Sequence, residues 1–211
     1  MEIIKSFIDL FLHLDHHMAE LVVQYGVWIY ALVFVIVFAE TGFVVTPFLP
    51  GDSLLFVLGA LAAKGSLRVD ALLLLLSVAA VSGDMLNYWV GRLMASKILN
   101  KEHIPFIKPQ HITRTQDFYA KYGPKTIVIA RFVPLVRTFA PFLAGVGHMP
   151  YAKFTAYNVA GGLLWVFAGI FAGYFFGSLP FVSENFSLVV LAIVVISLIP
   201  AVVEFLRHKK K

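Results

Sequence analysis

Apolar positions over the first 24 residues recur with a helical period. Ile3, Ile4, Phe7, Ile8, Phe11, Leu14, Met18, Leu21 and Val22 share one stripe, opposed by Lys5, Asp9, His13, His16, His17 and Glu20. This pattern predicts an amphipathic helix over 1–24 lying on a membrane surface. Glu2, the lone Lys5 and the breaks at Asp9, His13 and Asp15 make a poor secretory signal, so the segment is expected to be retained. Beyond it the chain changes to apolar blocks. Residues 27–45, 71–91, 154–177 and 186–206 each approach the ~20 residues a crossing helix needs, which predicts four transmembrane helices. Two further blocks fit badly. Residues 53–63 would make a helix only about 16 Å long, and 126–149 is interrupted by Arg131, Pro134, Arg137 and Pro141. Both are expected to be broken or half-length.

Composition agrees. The 211 residues are 60% hydrophobic and 14% charged, with 20 Phe, more apolar side chains than a soluble globule could hide. The expected class is therefore an all-α integral membrane protein. The absence of Cys excludes disulfide scaffolds and thiolate chemistry. His13, His16, His17 and Glu20 have ligand spacing, but on a polar face they read as solvated, so neither a metal nor any other cofactor is expected. The net charge of +5 lies in loops flanking apolar runs, which argues for membrane orientation rather than nucleic-acid binding.

Charge also orders the topology. Arg92, Lys97, Lys101, Lys108, Arg114, Lys121 and Lys125 oppose only Glu102 and Asp117, and the tail 207–211 is basic, so both belong in the cytoplasm. The loop 178–185 carries no Lys or Arg and belongs outside. For both to hold, 126–150 must enter and leave on the cytoplasmic side. With a cytoplasmic N-terminus, 46–63 dips in from the outer side, at the mild cost of placing Lys64 and Arg68 outside. The domain expectation is thus an interfacial helix over 1–24, a core over 25–178 holding re-entrant hairpins 46–63 and 126–150, a span over 186–206, and the tail. Opposed hairpins are the signature of inverted repeats in transporters. Thr46-Pro47-Phe48-Leu49-Pro50-Gly51 matches Ala140-Pro141-Phe142-Leu143-Ala144-Gly145 at four of six positions. Pro47, Pro50, Gly51, Pro134, Pro141 and Gly145 are the expected hairpin breaks.

Four charges fall inside these blocks: Glu40, Asp52, Arg131 and Arg137. Each costs roughly 2.5–3.5 kcal/mol at the bilayer centre if unpaired, so they must be compensated. Two acids in the first half and two bases in the second could meet in one wet cavity. Asp52 also reads as an N-cap to the helix that follows Pro50-Gly51. Arg131 and Arg137 would diverge by about 120° on a straight helix. Pro134 between them pushes Val133 toward extended geometry, letting both guanidiniums converge, an arrangement suited to phosphate. Simple neutralisation of the acids, or snorkelling to headgroups, is the plainer alternative. Asp84, Asn87 and Tyr88 share one face ending at Arg92 and read as interhelical hydrogen-bond partners, with Gly83 and Gly91 as close-packing sites. Asn158 shares a face with Trp165, which reads as packing. His148, at a hairpin exit, is a weak relay candidate.

The runs Glu40-Thr41-Gly42 and Thr46 through Leu55, Gly83-Asp84 with Asn87-Tyr88 and Gly91-Arg92, and Ala130 through Pro134 with Val136-Arg137-Thr138 to Gly145 resemble the DedA family over nearly the whole chain. The resemblance implies a bacterial inner-membrane protein, with opposed re-entrant hairpins, related to eukaryotic lipid scramblases. It implies a role in returning undecaprenyl phosphate across the membrane, in envelope homeostasis and in resistance to cationic peptides, with dependence on the proton motive force. It also implies that Glu40, Asp52, Arg131 and Arg137 form the functional quartet.

The expected function is a lipid translocase without bond chemistry. Its partners are a membrane lipid, first a polyprenyl phosphate, and protons; a homo-oligomer is compatible with this reading. Arg131 and Arg137 would hold the headgroup, Glu40 and Asp52 would couple protons, and Asp84, Asn87, Tyr88, Arg92 and Asn158 would support them. Two alternatives stay open: an assembly factor whose charges merely pair, and an intramembrane lipid phosphatase or transferase, for which nucleophile and acid candidates are thin.

Overall fold

The computed structural model describes residues 26–43, 51–99 and 122–177, with residues 119, 179, 180, 182, 189 and 192 singly. The expected interfacial helix over 1–24, the hairpin tip with Pro47 and Pro50, the basic stretch 100–118, most of the 186–206 span and the tail lie outside the described residues. Among the described residues every regular element is an α-helix: α1 Trp28–Gly42, α2 Gly51–Ala63, α3 Val69–Leu99, α4 Thr126–Ala130, α5 Pro134–Val146 and α6 Tyr151–Phe176.

Two of these, α3 and α6, are long and apolar enough to cross a membrane. With 31 and 26 residues they measure about 46 and 39 Å against a hydrocarbon core of ~30 Å. The span expected over 71–91 continues to Leu99 because Leu93, Met94 and Ala95 are strong helix formers and no Gly or Pro intervenes. The helix expected over 27–45 is shorter, since α1 ends at Gly42 and reaches about 22 Å. Block 126–149 is broken as its Pro and Arg residues required. Its first helix stops at Ala130, Val133 is extended (φ −114°, ψ 106°), and Pro134 opens the second helix, where its missing N–H costs nothing. Pro141 and Gly145, expected as hairpin breaks, instead lie inside α5, Gly145 where its missing side chain lets α3 approach. Asp52 falls within the first turn of α2 rather than at the cap, because that helix already begins at Gly51.

The chain divides into two compact units. The first holds residues 1–36, 50–76 and 166–211. In it α2 is buried almost all round, from Ser53 to Ala62. It is too short to cross and packs along its whole length against small residues of α6. A Cβ at Gly59 would strike the Ile170 carbonyl, and one at Gly173 the Phe56 carbonyl. Such backbone-to-backbone approach is how helices associate where lipid removes the hydrophobic drive.

The second unit holds residues 37–49 and 77–165. Tyr88, Ile127, Ala130, Ala140, Ala144, Met149 and Phe154 form its apolar centre. Tyr88 stacks on Phe154 with ring centroids 4.5 Å apart. The Tyr119 hydroxyl donates to the Ala140 carbonyl at 2.8 Å, and burial pushes its phenol well up, so it stays a donor. At the end of α5, His148 adopts a left-handed backbone (φ 55°) and its Nδ1 lies 3.0 Å from the Val146 carbonyl. Its place is a helix-terminating turn. Because that conformation costs a Cβ-bearing residue about 1–2 kcal/mol, His148→Gly should preserve or raise the unfolding midpoint and leave activity unchanged. Thermal unfolding in detergent checks this.

Candidate functional site

The second unit is polar where a soluble protein would be apolar. Glu40, Thr41, Asp84, Asn87, Arg131, Arg137, Thr138 and Asn158 are all buried, while Leu86, Trp89, Val90, Leu93, Leu163 and Leu164 are exposed. A charged interior inside an apolar shell is the arrangement a bilayer selects.

Both arginines flank the Pro134 break, and each meets a carboxylate from another helix. Arg137, in the first turn of α5, pairs with Glu40 of α1, and its guanidinium lies 4.8 Å from the Trp165 ring centre. Arg131, in the turn after α4, pairs with Asp84 of α3. The same Arg131 Nη2 also donates to Asn158 Oδ1 at 2.5 Å. These two pairs set two acids against two bases. Removal of single members is therefore far costlier than the net worth of the pairs.

Neutral groups fix the frame. The Asn87 side-chain amide donates to the Thr41 carbonyl at 3.1 Å and to the Thr138 carbonyl at 2.8 Å, tying α1 and α5 to α3. Tyr88 Oη donates to the Met149 carbonyl at 2.5 Å and accepts from Arg92 Nη1 at 2.8 Å. Gly91 and Gly145 let α3 and α5 touch backbone to backbone: a Cβ on the first would strike the Phe142 carbonyl, on the second the Tyr88 carbonyl. Gly161 and Gly162 leave room for Arg131, whose Cδ lies 3.1 Å from where a Gly161 Cβ would stand.

Between the pairs is a hollow of about 10 Å³ lined by Thr41, Asp84, Arg131, Arg137, Thr138 and Trp165. That is space for about one water molecule.

Of the sequence-expected quartet, Glu40, Arg131 and Arg137 belong to this cluster. Asp52 belongs to the other unit. The carboxylate that pairs with Arg131 is Asp84, which the sequence placed among supporting residues. Asn87, Tyr88 and Asn158 make hydrogen bonds to elements far away in the chain, and Arg92 bonds Tyr88 within α3. Trp165 does more than pack: it faces a guanidinium and lines the hollow. The four-residue offset from Gly161 to Trp165, which puts both on one helical face, was its available signal.

A family model for the VTT domain matches residues 49–175, more than half of the chain. The chain belongs to the DedA family of VTT-domain proteins. It is 52% identical to Protein DedA of Escherichia coli (strain K12) over 212 positions, covering 100% of this chain and 97% of that one. It is 43% identical over 177 positions to a membrane protein of Mycobacterium tuberculosis (strain ATCC 25618 / H37Rv), covering 83% and 78%. To the inner membrane protein YqjA of E. coli (strain K12) it is 36% identical over 152 positions, covering 72% and 69%. No solved structure matches it. With these relatives and its inverted burial pattern, this VTT-domain chain is a membrane protein.

Proposed function

We propose that this protein moves a phosphate-headed lipid, undecaprenyl phosphate or a related phospholipid, across the bacterial inner membrane without making or breaking bonds. Both termini would lie in the cytoplasm. The observation that carries the reading is the convergence of Arg131 and Arg137, both buried and both already paired, on one hollow beside a helix break. A buried guanidinium suits a phosphate because its planar fork bonds two oxygens at once. The carboxylate now holding each guanidinium competes for the same donors. Protonation of Glu40 would weaken its claim on Arg137 and let a headgroup take its place, while the tail stays in lipid along the exposed Leu and Phe faces. Asp52, in the first turn of α2, is the second proton-coupling candidate, in the other unit. A potential of 100 mV supplies about 2.3 kcal/mol per charge moved, enough to bias a flip that is otherwise balanced. A reading with bond chemistry would need a nucleophile beside the arginines. The Thr41 hydroxyl already donates to the Val37 carbonyl at 2.9 Å.

Purified protein reconstituted into liposomes should transfer fluorescent polyprenyl phosphate between leaflets, faster with an imposed pH gradient, with no inorganic phosphate released. Glu40→Gln, which can no longer give up and regain its proton, and Arg131→Lys and Arg137→Lys, which lose a planar fork, should each slow transfer at least tenfold, about 1.4 kcal/mol in the barrier. Transfer at protein-free rates would sink the reading in favour of an assembly role. Phosphate release would move it to a lipid phosphatase.

A further inference from the structure

Arg131 is held by two acceptors of different kind on one nitrogen. Asp84 offers a charge and Asn158 a neutral carbonyl oxygen, both to Nη2. Asn158 is itself oriented, because its amide N–H donates to the Val81 carbonyl at 3.0 Å, which leaves its oxygen for Arg131. Steric fit adds to this. The guanidinium runs over Gly161 and Gly162, with Nη2 3.4 Å from the position of a Gly162 Cβ. Asp84 is 3% exposed and borders the hollow. Arg131 thus has a second acceptor and a steric seat besides the Asp84 carboxylate.

We infer that Asp84 is the charge-setting residue of this cluster: its proton raises the charge beside the hollow by one, while Asn158 keeps Arg131 positioned in both states. The charged groups gathered around Asp84 are Arg131, Arg137 from α5, and Glu40 from α1 across the Arg137 pair. Among the described residues, α6 brings Asn158 and Trp165, which carry no charge, and α3 itself adds the neutral Asn87 and Tyr88. One proton on Asp84 raises the local charge by one, and the guanidinium that loses its counter-charge is fixed beside the hollow. An anionic headgroup is then the natural counter-ion. This deepens the translocase reading and rests on it for the identity of the anion. Asp84 acts here through Arg131 and does not itself touch the lipid.

The carboxylate can be exchanged between the two acceptor positions, which gives the test. Binding of fluorescent polyprenyl phosphate to the full chain in detergent is measured at acid and neutral pH for the unmodified protein, Asp84→Asn, Asn158→Asp and the double variant. Asp84→Asn should bind about tenfold more tightly at neutral pH and gain less from acidification, and Asn158→Asp should bind about tenfold more weakly, as expected for charges in direct contact. The double variant, with the carboxylate moved to the opposite side of Nη2, should return to within about threefold of the unmodified protein. Infrared difference spectra should show a buried protonated-carboxyl band that appears on acidification and is absent from Asp84→Asn. If Asp84→Asn fails to fold, Asn158→Asp carries the binding test, and unchanged affinity in it overturns the inference. An unaltered pH response in Asp84→Asn, or a double variant no better than Asn158→Asp, also overturns it. If the unmodified protein binds no polyprenyl phosphate, the translocase reading fails separately. The infrared band then decides: its presence supports the role of Asp84 and its absence overturns it.

Discussion

Arg131→Ala should destabilise the protein by about 3–5 kcal/mol and eliminate lipid movement. The cost comes from what is left behind. Asp84 is 3% exposed, and without the guanidinium its carboxylate is a buried charge that has lost its partner, the situation in which breaking one side of an ion pair is most expensive. Asn158 loses the donor to its Oδ1 at the same time, adding an unsatisfied buried acceptor. Removing both charges in Arg131→Ala/Asp84→Ala should recover a large part of the stability, because no uncompensated ion remains, although a cavity does. Transport should not return, since the phosphate has lost one of its forks. Chemical unfolding of the two variants in detergent, beside transfer assays in liposomes, checks both halves. A single variant as stable as the unmodified protein would mean that Arg131 and Asp84 are not a buried pair.

The second large effect lies in glycines that carry no chemistry. Gly91→Ala and Gly145→Ala should each cost about 1–3 kcal/mol, because the new methyl has backbone rather than a flexible side chain in its way and the helices must part. On Gly145 the Cβ would also stand 2.8 Å from the Arg92 nitrogen and 3.0 Å from the Tyr88 carbonyl carbon. Parting α3 from α5 would stretch the bond from Asn87 to the Thr138 carbonyl, now 2.8 Å, and shift the adjacent Arg137. Loss of transport is therefore expected with the loss of stability. Gly42→Ala is the contrasting case, since every atom its Cβ would meet lies 3.5 Å away, an ordinary contact. It should leave both quantities within the range of silent surface changes, about 0.5 kcal/mol. Equal effects at Gly42, Gly91 and Gly145 would contradict the backbone contact between α3 and α5.

Local features of the site were legible in the chain. Pro134 restricts the residue before it whatever the surroundings, so the break between Arg131 and Arg137 followed from covalent geometry. The cost of charge in hydrocarbon required partners for both arginines. Asp84 was visible as a polar residue on an apolar helix, and its face was fixed by its spacing from Asn87 and Tyr88. What could not be read was which guanidinium would lie opposite it. That depends on how closely α1, α3, α5 and α6 approach, which small residues at Gly83, Gly91, Gly145, Gly161 and Gly162 permit but do not dictate. Trp165 was missed as a cluster member for the same reason: an aromatic ring on an apolar helix packs in either case.

Sequence alone determined that the chain is a helical membrane protein with opposite charges inside its apolar blocks and a break between Arg131 and Arg137. These follow from transfer free energies and backbone sterics, which act residue by residue. Tertiary structure decided that Glu40 answers Arg137, that Asp84 with Asn158 answers Arg131, and that the hollow between them holds about one water. Those outcomes depend on distances between helices far apart in the chain, which are set by packing rather than by any single segment.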